Sequence, residues 1–97
     1  QIAGCLLDGP LALDVALSQE AVAIKKLKSD VAGDADCLLF PNIESANVFY
    51  KTNSQLCKGV RQAAMVVGAQ APCVLSSRAD SIDTKLNSIA LAAMAAK

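Results

Sequence analysis

Residues 63–81 read AAMVVGAQAPCVLSSRADS, two apolar runs and a polar hexapeptide in close succession. The runs at residues 63–69 and 73–75 suit two short buried strands, separated by a connection at Gln70 to Pro72 in which proline cannot donate to a ladder. The hydroxyls and aspartate of residues 76–81 then suit the passage from a strand into a helix, with Asp80 or Ser81 as its cap. A final helix running to the chain end is expected from there, with Ile82, Leu86, Ile89 and Ala93 on one face and Thr84, Asn87 and Ser88 pointing the other way.

The same alternation extends upstream. Residues 2–7 form a short apolar run that ends at Asp8-Gly9-Pro10, a turn signal leading into helix-favouring residues. Between Leu11 and Lys28 the apolar positions fall on two stripes, and Ser18 with Glu20 resembles a fresh helix start, so two short helices are expected rather than one. A polar loop with Gly33 near its centre follows, then an apolar strand at residues 37–40 halted by Pro41. Asn42 is a good cap for a helix reaching about Lys58, and Gly59 ends it. Strands alternating with helices predict an α/β fold, a mainly parallel sheet with helices on both faces, whose ligands gather beyond the carboxyl ends of its strands. No repeat, low-complexity tract or linker marks an internal boundary within residues 1–97.

Composition narrows the function. The 97 residues are 54% hydrophobic and 3% aromatic, enough for a small aliphatic core. Nine acidic and nine basic residues cancel, so no net field recruits nucleic acid or a membrane, and any anion must be held locally. Histidine is absent, which removes the usual general base, the hydrolytic triads and the commonest metal ligand. Cys5, Cys37, Cys57 and Cys73 have no C-x-x-C spacing and read as small buried thiols in a reducing compartment, hence a cytoplasmic location. The longest apolar stretch, IALAAMAA from Ile89 to Ala96, is far below the ~20 residues that cross a bilayer. A start at Gln1, in what reads as mid-strand, fits a fragment.

Two constellations could carry chemistry. Ser76, Ser77 and Arg78, with Asp80 and Ser81, offer two hydroxyls, a guanidinium and the first amides of a helix, a set suited to phosphate or another compact anion. The alternative is a plain cap, with Arg78 paired to Asp80 or Asp83 on the surface. Asn47, Tyr50 and Lys51 lie three and four positions apart on one side of a helix and form a polar corner. Here the alternative is a solvated face on which the Tyr50 ring packs and Asn47 and Lys51 meet only water. Asp8-Gly9-Pro10 with Asp14 reads as structural, and a nucleophilic cysteine has only Lys58 beside Cys57 to support it.

At these residues the chain resembles the phosphate acetyl/butyryltransferase family. The resemblance spans nearly the whole chain and corresponds to the C-terminal third of the family's length. It is carried by DGPLALD at residues 8–14, VAGDADCLLFPNIESANVFYK at 31–51, GAQAPCVLSSRADS at 68–81 and KLNSIALA at 85–92. The last two blocks are closer to the butyryl or branched-chain type than to the acetyl type. The resemblance implies the exchange of CoA and phosphate on a short acyl group, without metal or resident cofactor, in a cleft of an isocitrate/isopropylmalate dehydrogenase-like two-domain fold. It implies catalytic roles for Ser77 and Arg78 and substrate contacts from Ser76, Asn47, Tyr50 and Lys51. Acyl-CoA and phosphate would be the partners, together with the remainder of the enzyme chain and further copies of it; the isolated 97 residues would be inactive and would self-associate. A non-catalytic anion-binding or oligomerisation module on the same fold is the rival. Three positions depart from the family pattern: Asn42 stands where an acidic residue is usual, Ala46 replaces a glycine, and Thr84 occupies the place of an aspartate proposed as base, with Asp83 one position earlier.

Overall fold

Pro41 cannot donate a backbone hydrogen bond and Asn42 is poised to start a helix, and it is between these two residues that the chain divides. A computed structural model describes residues 2–96 and resolves two compact units, one ending at Pro41 and the other beginning at Asn42. Composition gives no sign of this boundary.

In the first unit, α1 (Leu13–Leu17) and α2 (Gln19–Lys25) pack on each other. Ser18 separates them because its backbone is extended, and its hydroxyl accepts from Ala21 N at 3.3 Å to cap α2. Val15 and Ala16 of α1 and Ala32 of the following loop are buried. The loop is fastened to α1 through free helix-end carbonyls: Gly33 N donates to Val15 O at 2.8 Å and Ala35 N to Ala16 O at 3.2 Å. Asp8 has a structural role, as its sequence context suggests. Its carboxylate accepts from Gly9 N at 2.7 Å and from the Ser29 hydroxyl, which in turn accepts from Val31 N and Ala32 N. Asp14 meets Lys25 at 2.7 Å on the surface, and that hydrogen bond, reinforced by Val15 N, holds its carboxyl below the usual aspartate range.

The second unit contains α3 (Ile43–Leu56) and α4 (Ile82–Ala95). Asn42 caps α3 by accepting from Ser45 N at 2.9 Å, and Ser81 caps α4 by accepting from Thr84 N at 3.1 Å. A neutral amide therefore fills the cap position of α3. α3 ends at Leu56, two residues short of Lys58, and Gly59 follows with φ +75°. α4 stops at Ala95, with Ala96 as its C-cap, rather than running to the chain end; Gln1 and Lys97 lie outside the described residues.

The inner face of α4 is its small, polar one: Ser88 and Ala92 are buried, whereas Ile82, Leu86, Ile89 and Ala93 are exposed. Ser88 can be buried because its hydroxyl donates to Thr84 O at 2.7 Å and accepts from Ala64 N at 3.0 Å, which leaves no polar group unmet. Two further expectations are corrected. The four cysteines are exposed and unpaired rather than buried. The runs at 63–69 and 73–75, read as buried strands, are largely exposed, with Val67 79% and Leu75 80% accessible, and Leu39 in the apolar run at 37–40 is 98% accessible. Among the described residues the strand pairing is one antiparallel bridge between Val66 and Cys73, with Val66 N donating to Cys73 O at 2.8 Å. No helix among the described residues is long and apolar enough to cross a membrane.

Candidate functional site

The turn after the second apolar run is closed from both sides. Asp80 N donates to Ser77 O at 3.1 Å, the i to i+3 bond of a β-turn, while the Asp80 carboxylate accepts from Ser77 N at 2.9 Å. Arg78 and Ala79 are left at the corner, where both are exposed. The Ser77 hydroxyl accepts a long bond of 3.4 Å from Ala79 N. Ser77 N and Asp80 N are thus spent on the turn itself, and the amide of Thr84 on the Ser81 cap. The anion-binding reading of this segment consequently rests on side chains more than on backbone amides.

Asp80 also reaches α3. Its Oδ1 lies 3.2 Å from Lys51 Nζ, and its side chain is only 9% exposed against 38% for Lys51. Burial pushes the Asp80 carboxyl up, but the Ser77 amide, the Lys51 hydrogen bond and the charges of Lys51 and Lys85 outweigh it and hold the group below the usual aspartate range. The Lys51 ammonium sits 5.0 Å from the centroid of the Tyr50 ring, within cation–π range. Tyr50 is pushed up, first by burial and then by the Asp80 charge, with Lys51 opposing. Its phenol therefore stays protonated at neutral pH and can donate a hydrogen bond.

These groups surround one open cleft of about 930 Å³. Asn47, Tyr50 and Lys51 line it from α3, and Ser76, Ser77, Arg78 and Asp80 from the turn, over an apolar floor that includes Ala64 and Met65. All six residues singled out in the sequence are brought together here. Lys51 and Arg78 differ in what they have to offer. Lys51 is largely neutralised by Asp80, whereas the Arg78 guanidinium has no hydrogen bond or ion pair among the described residues. The expected surface pair of Arg78 with Asp80 or Asp83 does not form. Arg78 is the cation at the cleft still available to a ligand. Asp83 and Thr84 are not among the residues lining it. Ala46 also lines the cleft.

The sequence profile described as phosphate acetyl/butaryl transferase matches residues 2–93. The chain belongs to this family. Among phosphate acetyl/butaryl transferase relatives, the phosphate butyryltransferase of Clostridium beijerinckii is 56% identical over 99% of the chain and 32% of its own length. The phosphate acetyltransferase of Thermotoga maritima is 50% identical over 97% of the chain and 32% of its own length. A solved structure, the crystal structure of a branched-chain phosphotransacylase from Enterococcus faecalis V583, is similar with a TM-score of 0.77 at 40% identity. That similarity covers 88% of this chain and 32% of the other. The chain thus spans about a third of the length of the family relatives it matches. Among the described residues no three histidine, cysteine, aspartate or glutamate side chains converge to hold a metal ion.

The residue that sequence reasoning undervalued is Asp80, taken only as a helix cap or as a partner for Arg78. Its place three residues after Ser77 is a local turn signal that could have revealed the Ser77 contact. The pairing with Lys51, 29 positions away, has no signature in the sequence.

Proposed function

We propose that this chain supplies the Arg78 wall of an active-site cleft in a phosphate acyltransferase, which exchanges CoA and phosphate on a short acyl group. In the reaction a phosphate oxygen attacks the thioester carbonyl and forms a C–O bond; the C–S bond then breaks, and the thiolate leaves with its electron pair and is protonated. Such a step needs an oriented anion and stabilisation of the tetrahedral oxyanion. Arg78 would bind the phosphate or CoA charge, and the Ser77 hydroxyl would hydrogen-bond the reacting centre. Ser76, Asn47 and the protonated Tyr50 would supply further hydrogen bonds, and Lys51 would border the same space. The longer enzyme would be the α/β, dehydrogenase-like two-domain protein implied by the resemblance, in which the exposed apolar runs gain strand partners and covering layers. Four unpaired cysteines suit a cytoplasmic enzyme.

One observation carries the reading. Residues from α3 and from the 76–80 turn, distant in sequence, line a single cleft whose one unpaired cation among the described residues is Arg78. The test is steady-state assay, in both directions, of the enzyme that carries this segment, with short acyl-CoA and phosphate. Arg78→Ala is expected to lower kcat/KM by about 100-fold or more, the scale seen when a positioned charge-stabilising donor is lost. An unchanged rate removes Arg78 from the mechanism. Phosphate or CoA binding without any turnover by the unsubstituted enzyme would favour the non-catalytic module instead.

A further inference from the structure

We infer that Asp80 is a positioning residue for the anion site: it ties the 77–80 turn to α3 through Lys51 and so fixes where Arg78 and the Ser77 hydroxyl stand. The inference rests on the acyl-transfer reading of the same cleft and goes beyond it by giving a task to a residue that the reaction itself does not require.

The geometry is specific. One carboxylate oxygen takes the Ser77 amide at 2.9 Å and the other takes Lys51 Nζ at 3.2 Å, so the two oxygens join two separate elements. The backbone bond from Asp80 N to Ser77 O, 3.1 Å, prevents the turn from opening on the other side. A side chain only 9% exposed has little room to choose other partners. Arg78 lies between the two ends of this closed turn, and its backbone direction is consequently set by Asp80.

Asp80 also sorts the charges. Without it, the cleft would present two cations of comparable freedom, Lys51 and Arg78, and a small anion could settle between them in several poses. With it, Lys51 is committed and Arg78 alone attracts the anion. A planar guanidinium at a fixed corner offers paired, directional donors to phosphate, whereas an ammonium acts as a point charge. Asp80 itself stays charged through the neutral range, so the arrangement persists where such an enzyme would work.

The experiment uses the enzyme that carries this segment and compares Asp80→Ala, Asp80→Asn, Lys51→Met and the Asp80→Ala/Lys51→Met pair with Arg78→Ala. Asp80→Ala is expected to raise the KM for phosphate about 10-fold, with a smaller fall in kcat, because a displaced corner weakens the grip on the anion. Asp80→Asn keeps an acceptor for the Ser77 amide but turns an amide donor toward Lys51 and leaves its charge unpaired, so it should recover only part of the loss, with the phosphate KM still raised about 3-fold. Lys51→Met should add little to Asp80→Ala, since both act through one link. A merely structural role would reduce the amount of folded enzyme and so lower apparent kcat with KM unchanged, equally for asparagine and alanine; that pattern, with Arg78→Ala still severe, overturns this inference alone. An Arg78→Ala enzyme with normal kcat and KM would instead overturn the acyl-transfer reading beneath it. Should Asp80→Ala fail to fold, Asp80→Asn and Lys51→Met carry the test: phosphate KM unmoved in both overturns the inference.

Discussion

Gly33 sits at φ +85°, and a Cβ built on it would lie 2.7 Å from Gln19 Cδ and 3.0 Å from Gln19 Cα. The loop after α2 can approach the start of that helix only because nothing projects from this residue, and the approach is what lets Gly33 N reach Val15 O. Gly4 offers the matching control. It has nearly the same φ, +84°, but nothing within 4 Å of where a Cβ would be. Gly4→Ala should therefore cost only the backbone penalty of a left-handed L-residue, about 1 kcal/mol. Gly33→Ala should cost about 2–4 kcal/mol, since the side chain of Gln19 can swing aside but its Cα cannot. Urea unfolding of the two variants measures the difference. Equal costs would mean that the loop relaxes away from Gln19 without loss, and that the close approach contributes nothing to the first unit.

At the scale of elements, what the sequence reveals is what is governed by near neighbours. Ser18, Asn42 and Ser81 are legible as caps because each accepts from an amide three residues on, and that chemistry is contained in a four-residue window. The split of residues 11–28 into two helices is legible for the same reason. The inward face of α4 is not. A 3.6-residue period says that Ile82, Leu86 and Ile89 share a side, but not whether the layer that covers them belongs to these 97 residues. What anchors α4 within its unit is Ser88, whose partner Ala64 is 24 positions away and leaves no trace in the helical pattern. The candidate site divides likewise: the members of N-x-x-Y-K and of S-S-R are visible as local clusters, and the resemblance pairs them, while the Lys51–Asp80 link that joins the clusters is non-local. The anchoring role of Ser88 is open to measurement. Ser88→Ala leaves the half-buried Ala64 amide without its partner and is expected to destabilise by about 1–2 kcal/mol, less than the full penalty for a wholly buried unmet donor. Ala90→Ser, on the exposed side of the same helix, should cost no more than about 0.5 kcal/mol. If the two changes cost the same by thermal or urea unfolding, α4 is held by something other than this bond.

For the molecule as a whole, the surface decides what the chain does alone. It exposes 8119 Å². A folded monomer of 10.0 kDa would expose roughly 5,200 Å², and even two separate folded units dividing that mass at Pro41 would expose roughly 6,300 Å² together. The excess does not depend on how the units are arranged, because it remains after they are counted apart. Much of the surface is aliphatic: Ile82 is 76% exposed, Leu86 58% and Ile89 58%, along one face of α4. Apolar surface of this extent, without charges interspersed on that stripe, favours association over solvation. The 97-residue chain on its own should therefore self-associate at micromolar concentration, with a mass by light scattering at least twice that of the single chain. Replacing Ile89 by glutamate places a charge in the middle of the stripe without touching the cleft residues, and should shift the distribution toward smaller species. In the longer enzyme the same stripe would be covered, and Ile89→Glu would instead lower stability or expression. A monodisperse 10.0 kDa species that unfolds cooperatively would show that these 97 residues satisfy their own surface, and would leave the exposed face of α4 without a task.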